Sequence, residues 1–177
     1  MKWLLILGAT SDIARAFAHR FAADGFNLVL AARNPDALSS DTKDLKIRYG
    51  VEVKTVSFDA LAMESHSAFF QSLNPMPDGV LSVVGTMEGN EDAMSDPEKL
   101  KAIMDTNFTG PAAFMTLAGA AFRKRGSGFI IGISSVAGKR PCRHRSQLNR
   151  AGSRKMFSVP SERENQLFIL HGSGDGL

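Results

Sequence analysis

The sequence predicts an α/β fold built on a doubly wound parallel sheet. Residues 3–7 (WLLIL) and 27–32 (NLVLAA) are short apolar runs without polar alternation, which is typical of parallel strands buried on both faces. Segments with helical apolar spacing follow them after short connections, and this alternation favours right-handed βαβ units. With 177 residues, the chain has room for one domain with a substantial core.

Five strands and four helices are predicted to alternate along the chain. The predicted strands cover residues 3–7, 27–32, 51–58, 79–84 and 129–133, and the predicted helices cover residues 12–23, 35–48, 62–73 and 97–124. In the first helix, Ile13, Phe17 and Phe21 fall on one stripe, and Gly25 stands where a glycine ends a helix. Pro111 predicts a bend in the last helix.

The net charge of +3 is unevenly distributed. Residues 1–138 hold 13 Lys/Arg and 15 Asp/Glu, whereas residues 139–177 hold 8 and 3. The basic character is therefore local to the tail, and a nucleic-acid partner is not indicated for the domain. No apolar stretch reaches the roughly 20 residues of a membrane span. Because there is no signal-peptide cleavage pattern and only one cysteine, Cys142, a cytoplasmic location is expected.

A glycine turn follows the first strand and opens the first helix, with the sequence GATSDIA at residues 8–14. It resembles the T-G-x-x-x-G-x-G fingerprint of the short-chain dehydrogenase/reductase family, with Asp12 and Ala14 in place of the second and third glycines. The resemblance implies a Rossmann fold that binds a pyrophosphate at the helix N-terminus. The cofactor-binding residues it implies here are Gly8, Thr10, Ser11, Asp12 and Ile13. Two roles are possible for Asp12: it could lie in the pyrophosphate-binding turn, or it could be the N-cap of the helix.

The end of the second strand bears on the choice of coenzyme. An NAD enzyme commonly carries an acidic residue there, which accepts hydrogen bonds from the adenosine ribose. This chain has Ala32 followed by Arg33, and a guanidinium can grip a 2′-phosphate in a bidentate way. The prediction is therefore NADP(H), with NAD(H) less favoured. An ordinary solvated loop arginine is the alternative.

Three further segments match the family in chain order. Asp59 and Ala60 follow the third strand, where the family has an adenine-contacting Asp; a turn cap is the alternative for Asp59. Gly85 is the one residue left of the family's N-N-A-G after the fourth strand. Asn107 resembles the Asn of N-x-x-G, which positions a water in the catalytic proton relay. Its alternative role is to satisfy a helix kink near Pro111.

The fifth strand carries the strongest match. Residues 126–138 (GSGFIIGISSVAG) resemble the family's G-x-I-I-x-I-S-S-x-A-G, which implies that Ser135 is catalytic and bonds the substrate carbonyl or alcohol. Family members continue with Y-x-x-x-K, in which a Lys lowers the pKa of the proton-donating Tyr. At the family spacing this chain has Leu148 and Gly152, and its only tyrosine is Tyr49. The proton-relay pair is absent from those positions.

The sequence changes character after residue 138. Residues 139–155 hold seven Lys/Arg without apolar periodicity, and a shift of reading frame near residue 138 is one hypothesis for this change. The chain therefore divides into an NAD(P)-binding domain, residues 1–138, and an aberrant, poorly ordered basic tail, residues 139–177. The sheet is expected to be incomplete on its C-terminal side. The fifth strand is then expected to form an exposed edge, and residues 167–170 are a short apolar run that could pair opportunistically.

The resemblance implies an NADP(H)-linked oxidoreductase acting on a small carbonyl or alcohol. A weaker resemblance points to keto-sugars on polyprenyl phosphate carriers. Because the Tyr and Lys are absent, activity is expected to be impaired, and a non-catalytic nucleotide-binding module is the alternative. A third interpretation takes the tail as an arm for anionic surfaces. No metal site is predicted. Family members pack the long helix in a dimer interface, but the lost C-terminal elements argue against the same homo-oligomer here.

Overall fold

The computed structural model describes residues 1–86, 96–133 and 167–171. Its strands form one sheet in the order β3-β2-β1-β4-β5-β6, in which the first five are parallel and β6 runs antiparallel to β5. The strands are β1 Trp3–Leu7, β2 Asn27–Ala32, β3 Val53–Ser57, β4 Gly79–Ser82, β5 Phe129–Ile133 and β6 Leu167–His171. The predicted doubly wound parallel sheet is confirmed.

Helices follow the strands as predicted, with three irregular turns. The helices are α1 Asp12–Ala23, α2 Ser39–Tyr49, α3 His66–Ser72, α4 Pro97–Met104 and α5 Gly110–Arg125. The turns are 3₁₀ at Pro35–Leu38 and Met63–Ser65, ahead of α2 and α3, and π at Asp105–Thr109, between α4 and α5. The bend predicted at Pro111 is thus the π turn before it, because proline has no N–H for the α-helical bond to the Asn107 carbonyl.

The sheet separates two hydrophobic layers, since successive side chains of a strand point to opposite faces. Leu5 and Leu7 of β1 pack in the layer under α3 and α5, and Leu4 and Ile6 pack in the layer under α1 and α2. Every residue of β1 and β2 is buried. These two strands therefore form the rigid centre from which the functional loops extend.

Helix α1 packs through a face that only partly matches the predicted stripe, since Phe17 and Phe21 pack against the core and Ile13 does not. Its buried residues are Ala14, Ala18 and Ala22, whereas Ile13 is 52% exposed. Small side chains let the helix approach the sheet closely, so the alanine stripe takes the inner position and the phenylalanines are only partly buried. Gly25, with φ +83°, follows the helix end as predicted.

Strand β6 covers the edge that β5 was expected to expose. The antiparallel register pairs Phe129 with His171 and Ile131 with Ile169, so the segment that could pair does so, and its partner is β5. The expectation of an unpaired edge along β5 is therefore wrong. Within the described ranges, no helix combines the length and apolarity needed to cross a bilayer.

Candidate nucleotide-binding site

The candidate site lies where the strand order reverses. The chain runs from β1 to β2 and β3 on one side of β1 and then crosses from β3 to β4 on the other side, so the loops after β1 and β4 open a crevice at the carboxyl ends of these strands. Gly8, Arg33 and Gly85 follow β1, β2 and β4 respectively. Three of the sequence-predicted residues thus lie along one edge.

The turn after β1 requires glycine at position 8 for two reasons. Gly8 has φ +76°, a conformation that L side chains rarely adopt. A Cβ there would also lie 3.0 Å from the backbone of Val83 and Val84. The amides of Gly8 and Ala9 both donate to the Ala31 carbonyl, at 3.0 and 3.1 Å, so the turn is held between the ends of β2 and β4.

Ser11, and not Asp12, caps helix α1. The Ser11 backbone is extended (φ −77°, ψ 150°), and its Oγ accepts a hydrogen bond from the Ala14 amide at 3.1 Å. Asp12 is the first helical residue, so the N-cap role considered for it is wrong. Helix geometry leaves the first-turn amides of Asp12 and Ile13 without intrahelical acceptors. They are the groups here that could bind an anion.

The Asp12 carboxylate points away from these amides. Its side chain is 98% exposed, and Oδ1 lies 3.1 Å from Nη1 of Arg15. Arg15 also donates through Nε to Asp41 at 3.1 Å. The hydrogen bond to Asp41, and after it the one to Asp12, raises the pKa of Arg15. Because Arg15 is shared with Asp41, it offsets only part of the negative charge that Asp12 brings to the helix N-terminus.

Arg33 is available at the end of β2. Ala32 is buried and Arg33 is exposed, and among the described residues its guanidinium has no hydrogen bond or ion pair. The side-chain Oδ1 of the next residue, Asn34, already accepts a hydrogen bond from the Asp36 amide at 3.1 Å. Arg33 is two residues beyond Ala31, whose carbonyl binds the glycine turn, so its Cα lies at most about 7 Å from that of Ala31.

The Asp59–Ala60 segment forms a tight turn beyond β3. Oδ1 of Asp59 accepts from the Leu61 amide at 3.0 Å, so the turn-capping role considered for Asp59 is confirmed, and its adenine contact stays a prediction. The buried Ala60 packs directly under Gly110. A Cβ on Gly110 would overlap the Ala60 carbonyl oxygen and lie 2.9 Å from its carbon.

Asn107 is brought beside Gly85 from the long helix. Its Oδ1 accepts from the Thr86 amide at 2.6 Å, and its Nδ2 donates to the Thr86 carbonyl at 2.9 Å. A Cβ on Gly85 would be 3.4 Å from the same Oδ1. The Asn107 side chain therefore holds the segment after β4, and the alternative that it satisfies the helix kink is wrong.

The π turn also bears on the main chain of Asn107. Pro111 cannot donate the α-helical hydrogen bond to the Asn107 carbonyl, so that bond is missing from the helix at the turn. The first residue of the turn, Asp105, is paired with Lys101. The hydrogen bond from Lys101 lowers the pKa of Asp105, so the carboxylate that begins the turn stays charged.

Ser135, Leu148 and Gly152 lie outside the described residues, so the structure does not place the predicted catalytic serine. Sequence reasoning missed Ser11 as the cap, although a Ser before a helix is as strong a signal as an Asp. The i,i+3 spacing of Asp12 and Arg15 also indicated their pairing. Across residues 1–86 and 96–133, no group of three or more His, Cys, Asp or Glu is arranged to hold a metal.

Comparison with known proteins gives one family. The family model for short chain dehydrogenases matches residues 2–147. An uncharacterized oxidoreductase of Streptomyces coelicolor is 41% identical over 143 residues, which cover 77% of this chain and 55% of that protein. An uncharacterized oxidoreductase of Mycobacterium tuberculosis is 33% identical over 141 residues, covering 77% of this chain and 56% of that protein. The chain spans about half the length of these curated relatives.

Solved structures share the fold. The L-sorbose reductase of Gluconobacter frateurii, complexed with NADPH and L-sorbose, superposes with a TM-score of 0.74 at 25% identity, covering 85% of this chain and 58% of that one. A short-chain dehydrogenase of Sphingobium yanoikuyae in complex with NADPH gives a TM-score of 0.71 at 24% identity, covering 80% and 56%. The shared region is the parallel sheet and its helices.

Proposed function

This chain belongs to the short-chain dehydrogenase family, and on that basis we propose that it binds NADP(H) at the glycine turn and serves hydride transfer with a small carbonyl or alcohol. The observation that carries the proposal is the Gly8 turn itself. Its left-handed φ and its approach to Val83 and Val84 leave no room for a side chain. Such a turn lets a helix N-terminus meet a pyrophosphate through backbone amides.

The residues present fit a phosphorylated adenine nucleotide. The amides of Asp12 and Ile13 would bind the pyrophosphate, since the Asp12 carboxylate is turned to solvent and to Arg15. Thr10 and Ser11 complete this turn. Arg33 would bind the 2′-phosphate, because its guanidinium is exposed near the turn. The L-sorbose reductase holds NADPH, which supports this choice over NAD(H).

The remaining predicted residues would serve the reacting half and the adenine. Bound NADPH would supply the hydride. Asn107 would position a water of the proton relay, and its side chain holds Thr86 in the segment after β4. Ser135 would bond the substrate oxygen, and Asp59 and Ala60 would line the adenine. The L-sorbose reductase supports a sugar-like substrate. A cytoplasmic location remains a prediction, and so does the expectation that this chain does not form the homo-oligomer of the family.

Replacing Arg33 by alanine is expected to weaken NADPH binding about tenfold, the loss of one charge-assisted hydrogen bond, while changing NADH affinity less than about twofold. NADH lacks the 2′-phosphate, so only NADPH gains from the guanidinium. Titration of coenzyme fluorescence measures both constants. Arg33→Lys should recover part of the NADPH affinity, since it keeps the charge and loses the bidentate geometry.

Arg48→Ala is the matched control. Arg48 is an exposed arginine that pairs with Asp44 on α2. Its loss should leave both affinities unchanged. Equal weakening of NADPH and NADH by Arg33→Ala would show that Arg33 does not read the 2′-phosphate. A wild-type chain that binds neither coenzyme would refute the proposed function.

The second candidate function is nucleotide binding without turnover, and Leu148 and Gly152 at the family's Tyr and Lys positions favour it. Under this second candidate, the wild-type chain should bind NADPH but oxidise it at the background rate with a panel of ketones, aldehydes and ketoses. A proton donor is lacking for the alkoxide that hydride transfer creates. Oxidation well above background would show that another group donates the proton, and would favour the enzyme. Grafting a family-like Y-x-x-x-K segment after Gly138 should raise the rate.

A further inference from the structure

His66 is a buried titratable residue that the proposed function does not use. It is the first residue of α3 and is only 3% exposed. Its ring stacks on Phe58 with centroids 5.1 Å apart and meets the edge of Phe114 at 5.6 Å. A phenylalanine would suit this aromatic surrounding without burying a polar atom. A histidine here therefore needs a hydrogen bond that offsets the cost of burying its polar atoms.

The main-chain carbonyl of Asp59 provides this hydrogen bond. Nε2 of His66 lies 3.2 Å from this oxygen, and because a carbonyl only accepts, Nε2 carries the proton. Nδ1 is then left buried with no hydrogen-bond partner among the described residues. An unpartnered buried acceptor has a free-energy cost, which the bond to Asp59 must offset.

The residues 59–61 are held from several directions. The Asp59 carbonyl accepts from the Ala62 amide at 3.3 Å as well as from His66, and its side chain accepts from the Leu61 amide. Ala60 is buttressed by Gly110 at the start of α5. Leu61 is 42% exposed, so an apolar side chain remains on the outside of this constrained turn.

We infer that His66 is a positioning residue that fixes the turn Asp59–Leu61 for the adenine half of the coenzyme. Through its Nε2–H it sets the direction of the Asp59 carbonyl, and its ring contacts both Phe58 and Phe114, the latter on the helix that follows Asn107. His66 thus adds a polar link to the adenine turn beside the direct packing of Phe58 on Phe114. This inference rests on the proposed function.

The test compares variants of the full chain by titration with NADPH and with 2′,5′-ADP, which carries only the adenine half. His66→Phe keeps an aromatic ring and removes the hydrogen-bond donor. It should lower the affinity for both ligands by the same factor, about five- to tenfold. His66→Gln places an amide N–H at the same number of bonds from Cβ, and should return to within about threefold of wild type. Thermal unfolding of His66→Phe should be no easier than that of wild type, because the orphaned Nδ1 is removed.

Phe122→Leu is the control for a general loss of core packing. Phe122 belongs to the same hydrophobic layer but contacts Phe70 and Arg125 at the far end of α5. It should lower stability and leave both affinities unchanged. The inference is overturned if His66→Phe binds both ligands as tightly as wild type. It is also overturned if His66→Gln or Phe122→Leu loses as much affinity for the ligands as His66→Phe does.

A measurement on the wild-type chain does not depend on folding of the variants. Adding 2′,5′-ADP should shift the His66 ring proton resonances in NMR spectra, since the ligand orders the turn that the ring holds. Unchanged resonances at saturating ligand would overturn the inference. A wild-type chain that fails to bind NADPH at all refutes the proposed function instead, so the two failures are distinguishable.

Discussion

Replacing Gly110 by alanine is expected to lower the free energy of unfolding by about 3 kcal/mol, as overpacking against a rigid neighbour does. The new Cβ would overlap the Ala60 carbonyl oxygen and lie 3.1 Å from the Asp105 carbonyl. Both neighbours are backbone atoms in constrained turns, so neither can move without displacing its segment. Urea unfolding followed by circular dichroism measures the change.

The matched control is Gly119→Ala on the same helix. Its Cβ would meet only Ile130 Cδ1 at 3.5 Å, an ordinary contact. Because alanine favours a helix interior over glycine, Gly119→Ala should raise stability by about 0.5–1 kcal/mol. The two substitutions are therefore expected to have opposite signs. Equal effects would show that α5 does not press on Ala60.

Gly110→Ala should also affect the site, because Gly110 lies between its two halves. Ala60 belongs to the predicted adenine turn, and Asn107 lies in the π turn that ends just before Gly110. Pushing the helix away from Ala60 loosens the Asn107 contact with Thr86. We therefore expect weaker NADPH binding in the fraction that remains folded, measured below the unfolding transition.

Replacing Gly8 by alanine is the second substitution with a large expected effect. Left-handed backbone at a residue with a Cβ costs roughly 1–2 kcal/mol, and the contacts of 3.0 Å with Val83 and Val84 add to that strain. The total loss of stability should reach about 3 kcal/mol. NADPH affinity should fall as well, since the amides of the turn move with it. Unfolding in urea and coenzyme titration measure the two effects.

Gly50→Ala separates the two causes. Gly50 ends α2 with φ +68°, and a Cβ there meets nothing within 4 Å. Its substitution should therefore cost only the backbone strain, about 1 kcal/mol, and leave coenzyme affinity unchanged. If Gly8→Ala were no more damaging than Gly50→Ala, the close approach of β4 to the turn would not matter to the fold or the site.

Local patterns predicted the elements more reliably than their inner faces. The strands β1 and β2 and the glycine turn after β1 were predicted correctly from the sequence. Burial on both faces restricts a strand to apolar residues, and a left-handed turn restricts its residue to glycine. The predicted stripe of the first helix was right for Phe17 and Phe21, which pack against the core, and wrong for Ile13. Three alanines of the helix, at residues 14, 18 and 22, take the position nearest the sheet. Asp12 was likewise taken as a candidate cap, although Ser11 beside it holds that position.

The sequence by itself determined the α/β alternation, the glycine turn, the arginine after β2 and the family. Only the tertiary structure decided which groups meet: Asn107 with Thr86, His66 with Asp59, and Gly110 with Ala60. The difference has a physical reason. Strand burial and left-handed turns constrain single residues and their chain neighbours, whereas these three contacts depend on how α3 and the long helix pack on the sheet, which no local pattern encodes.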